Sequence, residues 1–146
     1  MRPIRAVFPV LAVALALAWA RPAAASAALG LGADYLVDPS EGAFQLTLAA
    51  DTPLVRHVSI GARFGAMLVS GPSRLGVPLD ARLRIHIQRV YLDGLIGPWI
   101  VFKDDPAVRF HGGVGFGIAS RGVQLGLEVG YLDPTTTIGL RLAFPF

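Results

Sequence analysis

Three histidines, a serine close to one of them, and arginines and carboxylates at alternate positions are the side chains of this 146-residue chain that could do chemistry. His57 and Ser59 stand two residues apart, with His86 and His111 further along. Given an acidic partner, such groups could form a nucleophile–base–acid relay, which needs base and nucleophile within hydrogen-bond reach. No fixed nucleophile–histidine–acid spacing joins them, so no catalytic residue is expected and the chain is not read as an enzyme. Two neighbouring histidines also fall short of the three or four ligands zinc takes, so neither a metal nor a cofactor is expected. Gly112-Gly113-Val114-Gly115-Phe116-Gly117 contains a Gly-x-Gly. It lacks the third-glycine spacing and the following helix of a dinucleotide loop, and its alternation marks it as a strand. The remaining chemistry is charge. Asp34, Arg63, Asp80, Arg82, Arg84, Asp93, Glu128 and Arg141 each stand between apolar or small neighbours, a pattern suited to a buried salt-bridge network in which arginine makes bidentate bonds.

To bring those charges onto one face the chain must form strands, because only a strand repeats its faces every two residues. Strand 1 sets Leu29, Leu31, Ala33, Tyr35 and Val37 against Gly30, Gly32 and Asp34. Strand 2 sets Phe44, Leu46 and Leu48 against Gln45 and Thr47, and a turn is expected at Asp51-Thr52-Pro53. Strand 3 alternates Val58 through Leu68 with His57, Ser59, Gly61, Arg63 and Gly65. Strand 4 opposes Val77 through Ile87 to Asp80, Arg82, Arg84 and His86. Strand 5 carries Leu92, Ile96, Ile100 and Phe102 against Asp93, Gly97 and Trp99, and Pro98 within it is read as a bulge. Strand 6 opposes Phe110, Val114, Phe116 and Ile118 to His111 and three glycines. Strand 7 opposes Val123, Leu125, Leu127, Val129 and Tyr131 to Gln124, Gly126, Glu128 and Gly130. Strand 8 opposes Ile138, Leu140, Leu142, Phe144 and Phe146 to Gly139 and Arg141.

Tight turns between consecutive strands make them antiparallel neighbours, and eight such strands close into an up-and-down barrel without unpaired edges. The expected fold is therefore all-β, a closed eight-stranded antiparallel barrel. A two-residue turn at Gln88-Arg89 puts Arg84 opposite Asp93 and His86 opposite Tyr91. Glu128 should lie opposite or diagonal to Arg141, and Asp34 should approach Arg141 across the seam between the first and last strands. Arg63, Arg82 and Arg84 would crowd one sector, answered by Asp80 and Asp93.

Composition first suggests something else. The chain is formally +3 with a pI near 10.0, yet twelve of its thirteen basic residues are Arg and only Lys103 is Lys. The excess lies at the start. Residues 1–5 carry Arg2 and Arg5, residues 6–20 are apolar, and Arg21-Pro22 precedes a run of small residues. This is the charged, apolar and small-residue order of a cleaved secretory leader, too short an apolar run for the roughly 20 residues a spanning helix needs. Ala25-Ser26-Ala27 fits the cleavage rule best and Ala23-Ala24-Ala25 second, so the expected division is 1–27 leader and 28–146 barrel. Without Arg2, Arg5 and Arg21, ten basic residues face ten acidic ones, and nucleic acid drops out as a partner. There is no cysteine, hence neither a lipid-modified cysteine nor a disulfide.

Alternation alone does not say which face is outside. Most of the 17 glycines fall on the polar face, where a crowded bore has use for them and a water-facing surface does not. The last strand settles the choice. Ile138, Leu140, Leu142, Phe144 and Phe146 alternate and end on an aromatic, which resembles the C-terminal assembly signal of bacterial outer-membrane β-barrel proteins. Pro145 departs from that signal, since it removes a ladder donor. Residues 28–146 as a whole resemble the small eight-stranded OmpA/OmpX-like barrel class. That resemblance implies a transmembrane barrel in the outer membrane after Sec-type export through the periplasm. The partners it implies are outer-membrane lipid, lipopolysaccharide and, during biogenesis, the barrel-assembly machinery. It puts Asp38, Glu41, Asp104, Asp105 and Asp133 in outward loops and Arg56, Arg89 and Arg121 near periplasmic turns. Tyr35, Phe44, Phe102, Phe110, Tyr131 and Phe144 would form interfacial girdles. A bore of eight strands is just wide enough for its own side chains, so a structural or membrane-accessory role is expected rather than a pore. Two alternatives remain open: a secreted lipocalin-like barrel with the apolar face inside, and a lipid A-modifying outer-membrane enzyme.

Overall fold

The computed structural model describes residues 25–146, so most of the expected leader lies outside the described residues. The elements are β1 (Ser26–Leu36), β2 (Glu41–Val55), β3 (Val58–Val69), β4 (Arg74–Ile87), β5 (Val90–Val101), β6 (Val108–Ser120), β7 (Val123–Leu132) and β8 (Thr135–Pro145). Ser26 and Ala27, the last two residues of the expected leader, belong to β1 and pair with Asp51 and Ala50. All neighbours are antiparallel, and β1 pairs with both β2 and β8, closing the barrel. The Phe146 N–H donates to the Ala27 carbonyl at 2.9 Å, extending the seam past the end of β8.

The ends of the barrel differ. The terminal end carries the start of β1, the end of β8 and three two-residue turns, at 56–57, 88–89 and 121–122. Gly122 has φ +80°, the left-handed backbone that tight hairpins require and that glycine adopts without steric cost. The loop end carries connections at 37–40, 70–73, 102–107 and 133–134.

Two expectations about the strands are corrected. Asp51-Thr52-Pro53 is not a turn: β2 runs on to Val55, and its register with β3 shifts only between Pro53 and Val55. Turn-type residues near the end of a long paired strand give the misleading signal. Nor is Pro98 a bulge. Pairing of β4 with β5 lapses between the Pro78–Trp99 and Ala81–Ile96 pairs but resumes in the same register. Pro98 lacks a donor to β4 while keeping its place opposite Phe110 of β6. Gly97 lets β5 sit against β4 there, since a Cβ on it would collide with the backbone of Leu79 and Asp80.

The outer wall is apolar. Phe64, Leu83, Val114, Phe116, Leu127 and Leu140 all point outward and are exposed, while the alternate positions of the same strands are buried in the bore. A contiguous apolar surface around a whole barrel has no counterpart in a water-soluble monomer, and strands of 10 to 15 residues meet or exceed the roughly 9–11 that a tilted strand needs to cross a bilayer. The lipocalin-like alternative, with the apolar face inside, is the reverse of this arrangement. The aromatics are distributed unevenly. Tyr35, Phe44, Phe102, Phe110 and Tyr131 ring the loop end, whereas among the described outward-facing aromatics Phe144 and Phe146 alone stand at the terminal end. The expected pair of girdles is one girdle and a short aromatic patch.

The bore is not polar throughout. At the loop end Leu36, Ala43, Met67, Val69, Trp99, Val101 and Leu132 pack into a buried cluster. This is a hydrophobic plug, formed because the last inward position of several strands is apolar. Above it Arg74 bonds Glu41 and Asp104, and Arg109 bonds Asp104 at 2.7 Å.

Candidate functional site

Below the plug, one side chain from each of the eight strands joins a single hydrogen-bonded chain across the bore. Trp99 of β5 donates its indole N–H to Asp80 Oδ1 of β4 at 3.0 Å, and His111 Nδ1 of β6 meets the same oxygen at 2.7 Å. Because Asp80 Oδ1 is an acceptor, His111 Nδ1 carries the hydrogen. Arg63 of β3 donates to Asp80 Oδ2 at 2.7 Å and to Glu128 Oε2 of β7 at 2.6 Å. Arg141 of β8 donates from Nη2 to Glu128 Oε1 at 2.9 Å and to Asp34 Oδ1 of β1 at 2.6 Å. Gln45 of β2 completes the series, donating to Asp34 Oδ2 at 2.5 Å. The Trp99 and His111 rings stack with centroids 4.2 Å apart, which fixes both against Asp80.

A second layer lies nearer the terminal end. Arg84 grips Asp93 through two bonds of 2.6 Å, donates to Gln124 Oε1 at 2.7 Å, and lies over the Tyr91 ring at 4.2 Å. Arg82 makes a bidentate pair with Asp51. Between the layers is a cavity of about 40 Å³ lined by Arg63, Arg82, Arg84, Tyr91, Glu128 and Arg141 among others, room for water but not for an organic ligand.

All eight residues singled out from the sequence face this interior. Six of them pair among themselves: Arg63 with Asp80, Arg84 with Asp93, and Glu128 and Arg141 with each other, Arg63 also reaching Glu128. Asp34 joins them through Arg141. Arg82 instead turns to Asp51, the residue assigned to a turn. His111, Trp99 and Gln45 were not singled out, although inward parity was their signal. His57, Ser59 and His86 stay outside the network, at the terminal rim.

The glycines explain how large charged groups fit a narrow bore. Gly139 pairs with Asp34 and Gly32 with Arg141 across the seam. A Cβ on Gly139 would stand 2.6 Å from Arg141 Nη1 and 3.0 Å from Asp34 Cγ. Gly139→Ala is therefore expected to push the Asp34–Arg141 pair apart and cost about 1–3 kcal/mol by overpacking, measured as a lowered midpoint of urea unfolding. A glycine-to-alanine change at outward-facing Gly94, where a Cβ meets nothing within 4 Å, should leave the midpoint in place.

No protein-family model matches the chain, and no curated protein matches it in sequence. Solved structures do match in fold. A designed transmembrane β-barrel aligns with TM-score 0.64 at 10% identity, covering 83% of this chain and 95% of that one. The outer membrane enzyme PagL aligns with TM-score 0.63 at 11% identity, over 83% and 99% of the two chains. The outer membrane protein Ail of Yersinia pestis, in phospholipid bilayer nanodiscs, aligns with TM-score 0.56 at 13% identity, again over 83% and 99%. With a closed barrel of eight antiparallel strands, an apolar outer wall and these neighbours, the chain has the fold of the small eight-stranded outer-membrane β-barrels.

Proposed function

We propose that this chain is an integral outer-membrane protein that spans the bilayer as a non-conducting barrel and serves the membrane structurally or as an accessory. The observation that carries this reading is the hydrogen-bonded chain that takes one residue from every strand and crosses the bore. A conducting lumen must hold water and mobile ions, whereas here each interior charge faces its opposite and the loop end is filled with apolar side chains. The fold neighbours named for the outer membrane support the location. On this reading the terminal end is periplasmic and the loop end faces outward.

The connections at the loop end run from two to six residues, too short to build a protruding adhesive surface. The alternating residues Ile138, Leu140, Leu142 and Phe144 of β8, with Phe146 just beyond it, would serve the barrel-assembly machinery as a recognition strand before they close against β1. Lipid and lipopolysaccharide are then the surroundings of the apolar wall. Of the two cleavage sites in the leader, a cut after Ala25 leaves all of β1 in place, while a cut after Ala27 removes two paired residues.

A gel tests the reading. The unboiled protein in SDS should migrate differently from the boiled one, and extraction from membranes should need detergent. Release by carbonate or urea alone, with identical migration before and after boiling, would contradict it.

A further inference from the structure

The terminal rim holds a group of side chains that the ionic network does not use. The two-residue turn at 56–57 is pinned to the end of β4, because the His86 N–H donates to the His57 carbonyl at 2.8 Å. This brings the Arg56, His57 and His86 side chains around one concavity of about 150 Å³, whose wall also includes Ser26 and Ser59. Ser59 is 8% exposed, and among the described residues its Oγ has no hydrogen-bond partner. The reason is local. Its cross-strand neighbours are Pro53, which has no N–H, and Arg84, whose guanidinium is committed to Asp93 and Gln124. The ionisable groups lining the concavity are all basic. The neighbouring acids, Asp93 and Asp51, are each held by an arginine inside the bore, Arg84 and Arg82.

We propose that this concavity is a binding site for a phosphate group, either inorganic phosphate or the phosphate of a lipid headgroup. A tetrahedral oxyanion offers several acceptors, and the site offers a guanidinium, two imidazoles and a hydroxyl but no carboxylate. Guanidinium–phosphate bonds are charge-assisted and bidentate. Arg89 and Arg121, at the tips of the other two terminal turns, are exposed and give the whole rim the positive field that draws an anion inward. A phosphate seated beside Ser59 would give the buried hydroxyl its missing partner, a turn of the Ser59 side chain aiming it outward.

The inorganic-phosphate part of the proposal is independent of the membrane reading; only the headgroup part rests on it. The test uses the folded protein with ¹⁵N-labelled histidine in a maltoside detergent, which carries no phosphate, with and without added lipid. Inorganic phosphate is titrated at constant ionic strength against chloride. His57 and His86 imidazole signals should shift and saturate, while His111, enclosed in the bore, should not move. Arg56→Gln should weaken the apparent affinity about tenfold, the worth of one charge-assisted pair, and Ser59→Ala about threefold, the worth of a neutral bond. Both variants must retain the heat-dependent gel migration of the parent. If phosphatidylglycerol added to the micelles in phosphate-free buffer produces the same two shifts, the ligand is a headgroup. If only inorganic phosphate does so, it is the free anion. Absence of saturable shifts in both arms overturns the proposal. So do shifts that survive Arg56→Gln and Ser59→Ala unaltered, because those report general ionic screening.

Discussion

Glu128→Gln is expected to lower the unfolding free energy by about 3–5 kcal/mol, the usual cost of removing one member of a buried charge pair, and adding Arg141→Gln should recover part of it. Glu128 accepts from Arg63 at 2.6 and 3.1 Å and from Arg141 at 2.9 and 3.2 Å. Without its charge, two guanidiniums converge on a neutral amide that presents its own donors to them. In the double variant the charge balance is restored, Arg63 keeps Asp80, and Asp34 keeps Gln45. Urea unfolding of wild type, both singles and the double gives the coupling directly, and a value of about 1 kcal/mol or more is expected for groups sharing one network. Additivity within about 0.5 kcal/mol would show that the partners act independently.

The second large effect is expected at the other end of the same chain of bonds. Asp80 receives Arg63, Trp99 and His111 on its two oxygens. Asp80→Asn keeps the volume, but its amide nitrogen must point at one of these donors, and Arg63 is left with Glu128 alone. A loss of about 3 kcal/mol or more follows from the broken pair and the unsatisfied donor. A spectroscopic change should accompany it. The chain has two tryptophans, Trp19 within the expected leader and Trp99, so the leaderless barrel reports through Trp99 only. Release of its indole N–H from Asp80 should alter both its emission and its near-ultraviolet dichroism. A stability change below about 1 kcal/mol with unaltered spectra is the opposite result.

Much of the barrel is legible in period-two alternation, because a strand with lipid on one side and a filled bore on the other has no freedom to blur its faces. The turn at Gln88-Arg89 illustrates the gain: a two-residue hairpin fixes register by counting, and the structure pairs Arg84 with Asp93 and His86 with Tyr91. Counting fails where turn residues occur inside a strand. Asp51-Thr52-Pro53 has turn chemistry, which points Asp51 to the rim, whereas its carboxylate holds Arg82 inside the bore. The Pro98 expectation failed for a related reason, since a missing donor can be absorbed by an open rung without any extra residue.

The interior layers were harder to foresee. Parity assigns Leu36, Met67, Val69, Val101 and Leu132 to the bore, but nothing local says that they stack at one height. That depends on the stagger between strands, which is a property of the closed barrel. The same stagger brings Arg63 of β3 to Glu128 of β7, 65 residues away and across the bore. Charge type and face were therefore readable, whereas cross-bore partners were not. Parity puts His111 and Trp99 on the polar face, but a single histidine gives no hint of the carboxylate it will meet.

The central claim is that lipid surrounds the apolar wall while the barrel's own side chains close its interior. The most direct measurement is fluorescence quenching by lipids brominated on their acyl chains, with the folded protein in nanodiscs. Phe116, exposed on the outer wall, is replaced by Trp in a Trp99→Phe background and compared with Trp99 in the parent. Phe116→Trp should be strongly quenched by the brominated lipids, and Trp99, 1% exposed within the bore, should be quenched much less and stay protected from aqueous acrylamide. Strong acrylamide quenching of Trp99, or brominated lipids reaching Trp99 as readily as position 116, would contradict the account.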